Sequence, residues 1–212
     1  MIKVENIEVF GWKAAFRGMR NPLNSWSKSD STCEAKWGDS ENFVLGKNDL
    51  DLACRLIKAG TEHRKFLRMI HVQMDIIAPP YWIAEHDTYK IGTTRNSCSF
   101  MHKGVSKPFC IEDFSIDVKT FKKLKTMETV VNSLNELREE YLKTKDEATF
   151  QMIRQLLPSS YNIRYTWDCS METILNILHQ RNHHRLPEWQ QFRQSCFENI
   201  PFCKEFYEAM YN

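Results

Sequence analysis

Three polar segments of the 212-residue chain gather side chains able to grip an anion or carry a proton. The first, Glu62-His-Arg-Lys-Phe-Leu-Arg68, sets four basic side chains around an apolar pair. Such a cluster binds phosphate by charge and through the donor fork of arginine, although alone it also reads as a solvated charge run at a strand entrance. The second spans Tyr89 to His102. Lys90 and Arg95 supply positive charge there, while Thr93, Thr94, Asn96, Ser97 and Ser99 supply short donors around Gly92. A hydroxyl-rich, glycine-containing loop with two cations suits a phosphorylated ligand. It lacks the G-x-x-x-x-G-K-[ST] spacing, so a nucleoside-triphosphate loop is not indicated. Cys98 has no base spaced to activate it and reads as an inert thiol. The third segment runs from Arg154-Gln-Leu-Leu-Pro158 to Arg164, with His179-Gln-Arg-Asn-His-His-Arg185 further on. His179 and His183 have one metal-ligand spacing, but no glutamate lies between them as in H-E-x-x-H, and basic residues also complement a helix C-terminus. No metal is expected.

These segments need a scaffold, and the composition is that of an ordinary globular chain. Hydrophobic residues make up 42% and charged residues 26%, which argues against a disordered, collagenous or disulfide-stapled protein. The formal net charge of +2 gives no global attraction to nucleic acid or an anionic membrane. Met1-Ile-Lys-Val-Glu has no signal-peptide pattern, no stretch is apolar enough to span a bilayer, and the seven cysteines form no CxxC pairs. A single domain over 1–212, cytoplasmic and with reduced thiols, is the expectation.

The periodicities order the elements. Ile2, Val4, Ile7 and Val9 suggest a first strand, and residues 20–45 read as a long loop with little regular structure. Asn48 is a candidate N-cap for a helix carrying Leu52, Ala53, Leu56 and Ile57 and closed by Gly60. Phe66 to Ile77 reads as a strand stopped by Pro79-Pro80, Tyr81 to Tyr89 as a short helix, and Gly92 to Ser99 as a polar loop. A long amphipathic helix runs from Val118 to Tyr141. Further helices carry Phe150 to Leu157, Ile174 to Leu178, and Pro187 to Phe197. Early strands followed by a largely helical second half make an α+β class.

Taken in order, the three segments resemble the flavin-dependent thymidylate synthase family from roughly Ala14 to Phe192. The family signature reads R-H-R-x-x-S-x-N-E-x-S-x-R-Y. Ser99 falls on its second serine, Asn96 on the asparagine and Thr94 on the first serine. Tyr89, Lys90 and Ile91 stand where the family has R-H-R, while Ser97, Met101 and His102 replace the glutamate, arginine and tyrosine. Arg154-Gln-Leu-Leu-Pro158 resembles the family's R-x-x-L-P, and Arg181 the arginine of its L-x-L-R helix. Glu188-Trp189-Gln190 replaces a Gln-x-Glu-Ile pattern.

The resemblance implies a mostly antiparallel curved sheet packed with long helices, in a homotetramer. It implies reductive methylation of dUMP to dTMP with FAD, and with NADPH and 5,10-methylenetetrahydrofolate as co-substrates. Arg181 and Ser99 are then the catalytic candidates, and Arg154, Asn96 and Ser97 join them in binding substrate. Arg68, Tyr89, Lys90, Thr94, Arg95, Ser170 and His184 are the flavin candidates. The family needs no cysteine nucleophile, so an inert Cys98 is compatible with it. Losing R-H-R removes guanidinium contacts, and each charged hydrogen bond is worth about 1.5–3 kcal/mol. Two alternatives therefore stand beside the synthase: a same-fold enzyme acting on another pyrimidine nucleotide, and a non-catalytic nucleotide-binding protein. Neither membrane nor nucleic acid is expected as a partner.

Overall fold

The computed structural model describes residues 2–33, 43–116 and 121–212. Strand β1 (Lys3–Phe10) turns into helix α1 (Trp12–Met19) at Gly11, whose φ is +90°. A Cβ at Gly11 would meet the Met69 carbonyl oxygen at 2.2 Å, so only glycine fits this approach. The sequence reading assigned no element to α1. It is a two-turn helix that buries Trp12, Ala15, Phe16 and Met19.

Residues 20–45 hold more structure than the expected loop. Short 3₁₀ turns form at Asn21–Leu23 and Trp26–Lys28, and strand β2 (Thr32–Cys33) pairs antiparallel with β3 (Phe43–Val44). Positions 34–42 of that expectation lie outside the described residues. The segment is tied to helix α2 (Lys47–Lys58) by Asp49, which is fully buried. Arg20 Nε donates to Asp49 Oδ1 at 2.6 Å, and Ser29 Oγ and the Ser31 N–H donate to Oδ2 at 2.6 and 3.2 Å. The expected N-cap, Asn48, lies inside α2. Asp30 performs the capping from a distant loop, accepting the N–H groups of Asn48 and Asp49 at 2.9 and 3.0 Å. Gly60 closes the helix at φ +109°, in the left-handed conformation the sequence suggests.

The apolar stretch from Phe66 begins as a 3₁₀ turn (Lys65–Arg68) that buries Phe66 and Leu67, and strand β4 (His71–Ala78) starts later than expected. Strict alternation begins only there, with Val72, Met74, Ile76 and Ala78 buried. Pro79 ends the strand and Pro80 opens helix α3 (Pro80–His86). The segment read as a polar loop contains strand β5 (Thr94–Ser97), whose four side chains are all exposed. After the four-residue helix α4 (Phe100–Lys103) come α5 (Phe121–Thr144) and α6 (Glu147–Leu156). Val118, expected at the head of the long helix, lies outside the described residues. Strand β6 (Ile163–Ser170), unassigned from sequence, leads into α7 (Met171–Gln180), followed by α8 (Pro187–Asn199) and α9 (Cys203–Tyr211).

The fold is mixed α+β, with an antiparallel four-stranded sheet in the order β1-β4-β6-β5. Two compact units divide the chain, one of Met1–Lys3, Ile76–Thr88 and Asn96–Tyr165, the other of Val4–Asp75, Tyr89–Arg95 and Thr166–Asn212. In the first, Phe109, Phe114, Val131, Leu134 and Ile153 form a core, with Tyr161 edge-on to Phe100, Phe109 and Phe114. Asn135 on α5 pins the Phe109 backbone through both its amide atoms, at 2.8 and 2.9 Å. In the second, Trp12, Phe16, Phe66 and Phe206 interlock, and Trp167, Trp189 and Phe192 pack between strand and helix. One face of its sheet strands is buried. The other is polar, with Asn6 and Thr166 donating to Asp75 at 2.9 and 2.6 Å and Gln73 to Asp168 at 3.2 Å.

Burial pushes the Asp49 carboxyl up, but hydrogen bonds from Ser29, Ser31 and Arg20 and the Arg20 charge outweigh it, leaving the pKa below the ordinary 3.8. A carboxylate depressed on folding contributes fully above its unfolded pKa and loses that contribution as pH falls through the folded value. Asp49→Ala strands the buried Arg20 and should cost about 3–5 kcal/mol in urea unfolding at pH 7. Asp49→Asn should flatten the loss of stability below about pH 4. An unchanged acid limb in Asp49→Asn would contradict this reading of the pair.

Candidate functional site

In the second unit the chain reverses after α7 and brings Arg181 against two aromatic rings. The Arg181 N–H donates to the Ile177 carbonyl at 2.9 Å, placing the residue at the helix C-terminus, where a cation is favoured. Pro187 starts α8, and Trp189 in its first turn is fully buried. The guanidinium lies 4.8 Å from the Trp189 ring centroid and 5.4 Å from that of Tyr89, and its Nε donates to the Tyr89 hydroxyl at 2.9 Å. His184 stands edge-on to Trp189 at 6.1 Å, with its Nδ1 accepting the Leu186 N–H at 3.2 Å. Gln190 Nε2 donates to the carbonyls of Arg181 and Asn182 at 3.3 and 2.9 Å, tying the turn to α8. Each ring contact is worth about 0.5–2 kcal/mol. Together with the hydrogen bond they fix the plane of a permanently charged group, the condition for recognising an oxyanion with little ordering cost.

The segment 89–95 belongs to the same unit. Gly92 adopts φ +66°, and Thr93 Oγ1 donates to the Tyr89 carbonyl at 2.9 Å, closing a tight turn. Lys90, Thr94 and Arg95 are exposed on it. Arg68 is engaged elsewhere. Its Nε lies 3.5 Å from Glu172 Oε2 and its Nη2 donates to the Thr61 carbonyl, while Arg64 Nε donates to Glu172 Oε1 at 2.7 Å. Glu172 is buried, and the two arginines compensate its charge. Ser170 caps α7, accepting the Thr173 N–H at 3.2 Å.

The remaining candidates lie in the first unit. Asn96 and Ser97 are exposed on β5, and Ser99 is exposed at the start of α4 without a side-chain capping bond. Arg154 is exposed on α6 and donates to Gln151 Oε1 at 3.2 Å. The side chain of His102 lies outside the described residues.

The histidine spacing has another use: His179 stacks on Tyr211 with ring centroids 3.7 Å apart, and the Tyr211 hydroxyl donates to Asn176 at 2.7 Å. Burial pushes the Tyr211 hydroxyl up to about 12. Among the described residues no histidine, cysteine and carboxylate group could hold a metal. Burial raises the thiols of Cys54, Cys110, Cys169, Cys196 and Cys203, the reverse of nucleophile activation. Sequence reasoning missed Trp189 and Glu172. The signal for Trp189 was its place in the first turn after Pro187, whereas Glu172 meets Arg64 across 108 residues and leaves no local mark.

No protein-family model and no curated protein matches the chain. Solved structures do. Thymidylate synthase X from Helicobacter pylori, crystallised with FAD and dUMP, is 16% identical with a TM-score of 0.71 over 100% of both chains. A second structure of the flavin-dependent thymidylate synthase from Helicobacter pylori, also complexed with FAD and dUMP, is 17% identical with a TM-score of 0.69 over 99% of this chain and 98% of that one. The UMP/dUMP methylase PolB from Streptomyces cacaoi, bound with 5-Br dUMP, is 13% identical with a TM-score of 0.64 over 99% and 94%. The fold is that of the flavin-dependent thymidylate synthases.

Tyr89→Phe keeps the ring over Arg181 and removes its hydrogen-bond acceptor. Urea unfolding should show a loss of about 1 kcal/mol. No loss would mean that this bond does not hold the guanidinium.

Proposed function

We propose that the chain binds a pyrimidine nucleotide at Arg181 and carries out reductive methylation of dUMP to dTMP, with 5,10-methylenetetrahydrofolate as carbon donor, FAD as cofactor and NADPH as reductant. The observation that carries this reading is the Arg181 guanidinium held between Tyr89 and Trp189 in a fold whose solved members include enzymes crystallised with FAD and dUMP. In this reading Arg181 receives the nucleotide phosphate or the charge that develops on the pyrimidine, and Ser99, Asn96, Ser97 and Arg154 supply further donors to the substrate. The raised thiols of Cys54, Cys110, Cys169, Cys196 and Cys203 fit a reading in which the ring is activated by electrostatics alone.

The residues present fit the phosphate-bearing part of a flavin dinucleotide. Lys90, Arg95 and Thr94 put two cations and a hydroxyl on one exposed segment, a donor set for a diphosphate. Arg68 and Ser170 have partners inside the protein, so their proposed part is to position the α7 start rather than to grip the cofactor. Tyr89 and His184 would act through the Arg181 cluster. A bound flavin would supply two-electron reduction of the transferred carbon. The proposal extends to one functional domain over 1–212, since β4, β5 and β6 each carry residues of both units. It also takes in a homotetramer and a cytoplasmic setting. No described helix is long and apolar enough to cross a membrane.

A second reading, methylation of a different pyrimidine nucleotide, is favoured by the likeness to a UMP/dUMP methylase and by Ser97 standing where the family has glutamate. Flavin fluorescence during FAD titration, with and without dUMP, tests the common part. Saturable quenching that responds to dUMP is expected, and no FAD binding in either condition would overturn both enzymatic readings in favour of a non-catalytic nucleotide binder. Turnover with dUMP, UMP and dCMP then separates the substrates. dTMP formation from dUMP above all others is the expected result.

A further inference from the structure

We infer that the second unit carries a separate binding site for a nucleoside monophosphate, beside α1 and built from none of the residues of the Arg181 cluster. A cavity of about 250 Å³ opens there, with Lys13, Arg17, Trp26, Thr32 and Phe43 in its walls. Lys13 and Arg17 stand four residues apart on α1 and so share one helix face. Both are exposed, and among the described residues neither side chain has a hydrogen-bond or ion-pair partner. Like charges at this spacing repel, so the pair costs the folded chain something.

Among the described residues lining the cavity, the remaining charge is already matched. Arg20 is paired with Asp49, and the hydroxyls of Ser29 and Ser31 are spent on Asp49 and on the Gly46 N–H. Among the described residues the unmatched positive charge is therefore that of Lys13 and Arg17, and it favours an anion. The walls select a flat ring. Phe43 stacks on Trp12 at 5.4 Å and 7°, and meets Phe16 at 5.0 Å, which holds one aromatic wall in place. Trp26 is 50% exposed, a large apolar surface left open on a 3₁₀ turn. Its Nε1 donates to Asn21 Oδ1 at 2.9 Å, so the ring is anchored by its polar edge. A ring anchored in this way offers stacking area without an ordering cost on binding.

Size completes the assignment. The volume of about 250 Å³ lies just below the roughly 300–1,000 Å³ of common ligand pockets, which suits a small ligand such as one heteroaromatic ring with its sugar and phosphate. The phosphate would lie on Lys13 and Arg17, the base against Trp26 and Phe43, and the Thr32 hydroxyl would be in reach of the sugar or base edge. The inference does not depend on the reaction proposed for Arg181, because the two sets of residues are disjoint.

The test is calorimetric titration of the full-length protein with AMP, UMP and inorganic phosphate, in the natural sequence, in Arg181→Ala, and in a Lys13→Gln/Arg17→Gln double variant. Both substituted cations are exposed, so an unchanged melting curve is expected for the double variant. Monophosphate binding should persist in Arg181→Ala and weaken about tenfold or more in the double variant. Trp26→Leu should weaken the nucleotides but leave inorganic phosphate unaffected. Equal affinity in the double variant, loss of all binding in Arg181→Ala, or inorganic phosphate binding as tightly as the nucleotides would each overturn the inference.

Discussion

The cost of removing charge from water governs how the second unit is built. Asp49 is fully buried, and it is tolerable there only because Arg20, Ser29 and the Ser31 N–H surround it. That one carboxylate gathers the stretch after α1, the start of α2 and the ends of the β2–β3 pair into a single arrangement. Glu172 repeats the solution at the start of α7, where it draws Arg64 and Arg68 to one buried oxygen pair. Pairs of this kind add little net stability over apolar packing, but they specify register, since any other arrangement strands a charge.

Arg181 obeys the same constraint by a different route. Its guanidinium is weakly hydrated and planar, so two aromatic rings and a phenol help to hold it. Arg20, Arg64 and Arg68 lie against carboxylates, whereas the rings of Tyr89 and Trp189 fix the plane of the Arg181 guanidinium. Lys13 and Arg17 keep their charge in the simplest way, by remaining exposed above an aromatic wall.

The sequence disclosed what depends on local rules. Pro79-Pro80, Pro158 and Pro187 stop or start elements where they stand, Gly60 ends α2, and the spacing of Ile174, Leu175 and Leu178 marks α7. Strand β6 carries a period-2 pattern, with Tyr165, Trp167 and Cys169 buried between Arg164, Thr166 and Asp168. Its charged and polar alternate positions interrupt the apolar run, and the sequence reading assigned it no element. β5 is exposed throughout, so no hydrophobic pattern announces it. Asp30 capping α2 and Glu172 meeting Arg64 are long-range contacts that composition and periodicity do not encode. At the candidate site, family resemblance supplied Arg181, Tyr89 and His184 one by one. Their joining through Trp189 became visible only in three dimensions.

The central claim is that a nucleotide phosphate or pyrimidine is received by the Arg181 guanidinium between Tyr89 and Trp189. A crystal structure of the protein soaked with dUMP tests it most directly. The account predicts dUMP with a phosphate or uracil oxygen within hydrogen-bonding distance of Arg181, its guanidinium still stacked on Trp189. Nucleotide density confined to Lys13 and Arg17, with nothing at Arg181, would contradict it.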